Sequence, residues 1–169
     1  MATDAELYSA LKYRVTVDPD TGTRRYYNSA NQLHSDVGPA IVYTDGTGAW
    51  YQNGRLHREN GPAVVYPNGR KEWYRNGLRH RDVGPAVVDA NGASAWYQNG
   101  LLHCEVGPAV VWPDSVSAWR FKGVRHRIGG PAVEHADGNK EWWLKGVQYT
   151  EQAYRAKLAA LEQTLEPTT

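Results

Sequence analysis

Five histidines stand 23 residues apart in this 169-residue chain: His34, His57, His80, His103 and His126. Imidazole is the commonest metal ligand and titrates near neutrality, so the column invites a metal or acid–base reading. The spacing argues against the metal. If each 23-residue unit supplies two β-strands, equivalent histidines lie about 9–10 Å apart at the usual ~4.8 Å strand separation. One zinc, with Zn–N bonds of about 2.0–2.1 Å, cannot join ligands so separated. No second His or Cys recurs beside them at fixed spacing. The expectation is a repeated structural hydrogen bond from each ring to a neighbouring backbone, with no metal and no cofactor.

The other chemistry-bearing residues follow the same period. Trp50, Trp73, Trp96, Trp119 and Trp142 form one column, with Tyr27 in the slot before them. Indole rings can stack on sugars or bases, but rings that recur in every unit are expected to build the core, where they bury most area. Variable columns are different. Tyr51, Tyr74, Tyr97, Arg120 and Trp143 share one slot, and Trp112 shares another with Tyr43, Tyr66, Asp89 and His135. Aromatic and Arg side chains on an exposed face are typical of binding hot spots. Tyr51, Tyr74, Tyr97, Trp112, Arg120 and Trp143 are therefore the candidate partner-binding residues. Arg58, Arg81 and Arg127 also share a slot and form the alternative, a basic ladder for an anionic ligand. Glu59, Asp82 and Glu105 lie next to this slot and balance much of that charge. Cys104 replaces Arg in the same column and reads as an inert thiol; a single cysteine excludes an internal disulfide and a Cys-based zinc cluster. No nucleophile elbow, P-loop, GxGxxG or paired carboxylate is present, so the chain is not expected to be an enzyme.

The elements that must position these residues are legible from the turns. Gly-Pro-Ala begins at Gly38, Gly61, Gly84, Gly107 and Gly130, again in steps of 23. Asp45-Gly46, Asn68-Gly69, Asn91-Gly92 and Asp137-Gly138 mark one turn per unit; Asn53-Gly54, Asn76-Gly77 and Asn99-Gly100, then Lys122-Gly123 and Lys145-Gly146, mark a second. Both dipeptides suit the positive φ angles of tight hairpin turns. Each unit is thus a strand, a turn, a return strand kinked at Gly-Pro and a second turn, because proline cannot donate to a ladder. Repetition predicts an all-β fold: an elongated, twisted antiparallel β-hairpin meander of about six repeats over residues 18–149. The Trp column and the Ile41, Val64, Val87, Val110, Val133 column are apolar throughout and are placed together on the packed face, with the Ala49/Glu72 and Tyr51/Tyr74 columns opposite. Residues 1–17 are expected to form an N-terminal cap, a short helix opened by Thr3 and Glu6 followed by a strand. Residues 150–166 are expected to form a C-terminal helix, N-capped by Thr150, with Tyr154, Leu158, Leu161 and Leu165 on one stripe. Capping the array is its first role, and self-association its alternative.

The units Trp50-Tyr51-Gln52-Asn53-Gly54-Arg55-Leu56-His57 and Trp73-Tyr74-Arg75-Asn76-Gly77-Leu78-Arg79-His80 resemble the MORN repeat and the bacterial antitoxin-type proteins built from such units. The resemblance covers about residues 24–149. It departs where MORN repeats usually continue with glycines after the His; here Arg58, Arg81 or Arg127 follows, and then Gly-Pro-Ala. The resemblance implies a single-layer β-hairpin array with scaffolding and protein-binding roles, and it carries over no catalytic residue.

Net charge is +1, which points neither to a basic nucleic-acid binder nor to an acidic mimic. No stretch approaches the ~20 apolar residues of a membrane span, and the N-terminus lacks a basic and an apolar region. A cytoplasmic protein is expected, bacterial or in a host cytoplasm if phage-encoded. Together these features predict a non-catalytic protein-binding module, specifically one that neutralises a toxin or host-defence protein. The alternatives are a sequestering protein for an anionic nucleotide-like ligand, and a structural scaffold or virion component.

Overall fold

A computed structural model describes residues 12–114 and 116–164. The helix expected before residue 12 lies outside the described residues, as do Leu165 and the tail. The chain divides into two compact units, Met1–Ala90 and Asn91–Thr169.

In the first unit, Arg14–Val17 pairs with Arg24–Tyr27, and the meander continues through Ile41–Val42, Gly48–Ala49, Val64–Val65, Lys71–Glu72 and Val87–Val88. Every pairing is antiparallel. In the second unit, Ser94–Ala95, Val110–Val111, Ser117–Ala118, Val133–Glu134, Lys140–Leu144 and Val147–Tyr149 pair in the same way. The strand centred on Trp in the sequence is split at Trp50, Trp73, Trp96 and Trp119, whereas Lys140–Leu144 runs unbroken through Trp142. Gly48–Ala49 belongs to the meander, whereas Tyr51–Gln52 forms a separate two-stranded hairpin with Arg55–Leu56. Trp50 is the crossover: its N–H donates to Ala63 O at 2.7 Å, and its carbonyl accepts from His57 N–H at 3.0 Å.

The two turn signals fold differently. Asn53 (φ 48°) and Gly54 (φ 79°) are both left-handed, the requirement of a two-residue type I′ turn. At Asp45-Gly46 only Gly46 has positive φ (89°). Gly46 N–H donates to Tyr43 O, Tyr43 N–H donates to Thr47 O, and the Asp45 carboxylate accepts from Thr47 N–H. This is a type I turn followed by a glycine bulge, which adds one residue to one strand.

That added residue overturns the expected faces. A two-residue turn at Asp45-Gly46 would set Ile41 opposite Trp50. The bulge sets Ile41 opposite Ala49, and Ala49 opposite Val64. A slip of one residue moves a side chain to the other face. Ile41, Ala49 and Val64 therefore form one buried cluster, with Leu33, Tyr51, Leu56, Tyr66 and Tyr74 packed against it. The Trp column lies on the opposite face and is only half-buried. Its neighbours there are the Gly-Pro-Ala alanines; Ala40, Ala63, Ala86, Ala109 and Ala132 are completely inaccessible. A Cβ added to Gly48 would meet the Trp50 ring at 3.2 Å, so the indole lies flat against the strand. Both faces of the sheet are thus packed, one by aliphatic and tyrosine side chains and one by indoles.

One helix, α1, spans Glu151–Gln163, and Thr150 Oγ1 accepts from Ala153 N–H as its N-cap. Only Tyr154 is buried; Leu158 is half-buried and Leu161 exposed. No helix is long and apolar enough to cross a membrane among the described residues.

Candidate functional site

The histidine column is a set of latches between neighbouring hairpins. The backbone N–H of Asn53 donates to His34 Nδ1 at 3.2 Å and that of Asn76 to His57 Nδ1 at 3.1 Å. Lys122 N–H donates likewise to His103 Nδ1, and Lys145 N–H to His126 Nδ1. Each donor is the first residue of a type I′ turn, and the following glycine N–H reaches back to the previous hairpin, as from Gly77 to Leu56 O at 2.8 Å. The expected structural hydrogen bond is therefore present. An accepting Nδ1 places the neutral ring's proton on Nε2. His34 Nε2 donates that proton to Asp36 at 2.9 Å, and His80 Nε2 to Asp82 at 2.8 Å. The acid two residues on completes the ring where it is Asp. Where it is Glu, as after His57 and His103, Nε2 is buried without a hydrogen-bond partner.

Arg58, Arg81 and Arg127 are not arrayed as a ladder of free cations. Their guanidinium groups lie 4.0, 3.9 and 3.6 Å from the ring centroids of Trp50, Trp73 and Trp119. Each also donates from Nη1 to the proline carbonyl of its own loop: Pro62, Pro85 and Pro131. Glycine after the loop makes room, since a Cβ at Gly130 would meet the Arg127 guanidinium at 2.9 Å. The Arg thus folds its loop down onto the Trp, a cation–π contact with a directional bond.

The six candidate partner-binding residues divide between the units. Tyr51 and Tyr74 pack against the first unit's core. Tyr74 also donates to Glu72 at 2.7 Å; burial first, and then that carboxylate, push its hydroxyl up to about 12. Glu72 is nearly inaccessible and takes further bonds from Arg70 and Arg79. Burial pushes its carboxyl up, but Tyr74, Arg70 and Arg79 together hold it below the ordinary value. In the second unit, Tyr97 is half-buried opposite Leu102, and Arg120 donates to Gly123 O at 3.0 Å. Trp143 donates from Nε1 to Glu141 at 2.8 Å beneath the Arg125 guanidinium. Trp112 is the most open of the six, at 41 % exposure. These side chains are drawn into the packing of one face, and each but Trp112 is at most half-accessible.

A different set stands fully in solvent. Val37 and Val83 in the first unit, and Val106 and Ile128 in the second, sit at the tips of the loops between His and Gly-Pro. Val83 is 83 % exposed and Val106 is 100 % exposed. Sequence reasoning passed over them. The available signal was an aliphatic side chain at the end of the loop, directly before Gly-Pro at Val37, Val83 and Val106 and before Gly129-Gly130 at Ile128, where no alternation requires one. Between the 57–61 and 80–83 loops lies a trough of about 680 Å³ with charged walls, including Arg58, Glu59, Arg75, Arg81 and Asp82 over Trp73.

Comparison with family models and with curated proteins finds no match to this chain.

Proposed function

We propose that this chain is a non-catalytic protein-binding repeat module whose contact residues lie on the His-to-Gly-Pro loops of each unit. The exposed loop-tip aliphatics carry this reading. Each of Val37, Val83, Val106 and Ile128 sits on a loop that Arg–Trp stacking, the His latch or both hold in place. Aliphatic side chains gain nothing from exposure, and exposed apolar side chains on a fixed scaffold are a usual mark of a protein contact. A rigid loop also loses little entropy on binding. The resemblance to antitoxin-type repeat proteins makes a neutralised partner protein the specific form of this reading. Trp112 and the half-buried Tyr/Arg/Trp column offer a second, flatter contact on the other face.

The test is a triple change, Val83→Ser, Val106→Ser and Ile128→Ser, in the full chain. Capture of a partner from the native host should fall at least tenfold, while the unfolding temperature changes little, because exposed positions contribute little to stability. A partner retained at undiminished strength by the triple variant overturns the reading.

A further inference from the structure

The second unit repeats the trough of the first, 46 residues on, with its chemistry changed. It holds about 570 Å³ between the 104–106 and 126–128 loops, over the Trp119 ring. Three wall positions have gone from charged to apolar. Cys104 stands where the first trough has Arg58, Phe121 where it has Arg75, and Ile128 where it has Asp82, while Gly129 stands where the first trough has Val83. Phe121 is the chain's single phenylalanine, and it occupies a column otherwise held by Gln52, Arg75, Gln98 and Leu144. Three such replacements in one cleft of a repeating scaffold are not what packing demands, since the charged version also folds.

The same replacement removes an acceptor. His126 Nδ1 is engaged by Lys145 N–H, so its neutral ring carries the proton on Nε2. Where the residue two positions on is Asp it takes this proton, at 2.9 Å for His34 and 2.8 Å for His80, whereas His57 and His103, followed by Glu, have no acceptor at Nε2. Here that residue is Ile128, and among the described residues no acceptor for His126 Nε2 is present. His126 lines the trough. The result is a cleft with fewer charged groups in its wall and one ring donor, His126 Nε2, without an acceptor in its own loop.

We infer that this trough receives a protein segment that seats an apolar side chain against Trp119 and Phe121 and supplies, from a neighbouring Asp or Glu, the carboxylate that His126 lacks. The inference rests on the protein-binding reading above and specifies the partner's chemistry. Rim residues Val106 and Ile128 belong to the loop-tip row, so the cleft is continuous with that surface. A volume of this size accommodates one or two side chains.

The probe is the blocked dipeptide N-acetyl-Leu-Asp-amide, titrated into the 15N-labelled full chain beside N-acetyl-Leu-Asn-amide. The Leu-Asp probe should shift the Trp119 indole, the Phe121 and Ile128 amides and His126 Nε2. It should bind at least tenfold more tightly than Leu-Asn, as expected for a hydrogen bond to a charged acceptor. Ile128→Asp restores the sister loop's own carboxylate and should abolish binding without loss of fold. Equal affinity for the two probes overturns the inference, as does undiminished binding by Ile128→Asp. If neither probe binds while the serine triple variant still loses its captured partner, this inference fails and the protein-binding reading stands.

Discussion

At the scale of single residues, the informative positions are those where a column changes type and its neighbours change with it. Glu72 replaces the alanine found at Ala49 and Ala95, and Arg79 replaces the leucine found at Leu56 and Leu102. The pair is one exchange: a buried carboxylate is tolerable only when donors surround it. Glu72→Ala alone should therefore cost about 2–4 kcal/mol, because it leaves Arg79 and the Tyr74 hydroxyl without their acceptor. Adding Arg79→Leu rebuilds the Ala49–Leu56 arrangement and should recover most of that loss; chemical denaturation of both variants measures the difference. Lys145 presents the converse case. It holds φ of 49° in a type I′ turn where sister units use asparagine. Asparagine visits this region at lower cost, and the backbone N–H to His126 is unaffected. Lys145→Asn should raise stability by about 0.5–1 kcal/mol, read as a higher unfolding temperature.

Among the elements, the two ends of the described structure are closed by the same device. Tyr13, just before the first strand, is buried; its hydroxyl donates to Asp36 and accepts from Asp36 N–H, both at 3.0 Å. Tyr154 on α1 is buried too; its hydroxyl donates to Arg127 O at 2.7 Å and accepts from Gly130 N–H at 3.3 Å, with its ring 5.0 Å from Trp142. Each tyrosine thus satisfies a His-to-Gly-Pro loop at an end of the array. These geometries give the helix a capping contact, whereas exposed Leu161 contributes nothing to it. Tyr154→Phe should cost about 1–2 kcal/mol in denaturant unfolding, since a carbonyl and an amide lose their partner. Leu161→Ser should change stability by less than about 0.5 kcal/mol.

Across the whole molecule, acid acts on particular loops through His126 in the second unit and Asp36 in the first. Burial first, and then Lys145, hold His126 below its ordinary value of 6.5. A depressed folded value means that the contribution is fully present above pH 6.5 and is lost as the pH falls through the lower value. The Asp36 carboxylate is held at about 2 by Lys12 first, then Tyr13 and His34. Its contribution is present above its ordinary 3.8 and disappears as the pH falls through 2. Unfolding temperature should therefore fall in two stages on acidification, one below pH 6.5 and one below 3.8. Hydrogen exchange should show the Lys145 amide losing protection in the first stage, because a protonated Nδ1 can no longer accept from it.

The period, the positions of the turns, an antiparallel meander and a helix N-capped by Thr150 were all legible in the chain, because each depends on local chemistry: φ angles that Asn and Gly adopt, a proline that cannot donate, an apolar stripe at helical spacing. Strand spacing argued against a shared metal and for a structural hydrogen bond at each histidine, but only the fold shows that the ring accepts, from the N–H of the next type I′ turn. The faces did not. Asp-Gly reads the same whether it makes a two-residue turn or a type I turn with a glycine bulge, and that single residue decides whether Ile41 faces Trp50 or Ala49. Register therefore turned the tyrosine column from an exposed face into a wall of the core, and set the arginines on the indoles as clamps. The contact surface was hidden for the same reason. Val83, Val106, Phe121 and Ile128 lie far apart in sequence, and only the folding of successive loops side by side brings Val83 to the wall of one trough and Val106, Phe121 and Ile128 to the wall of another.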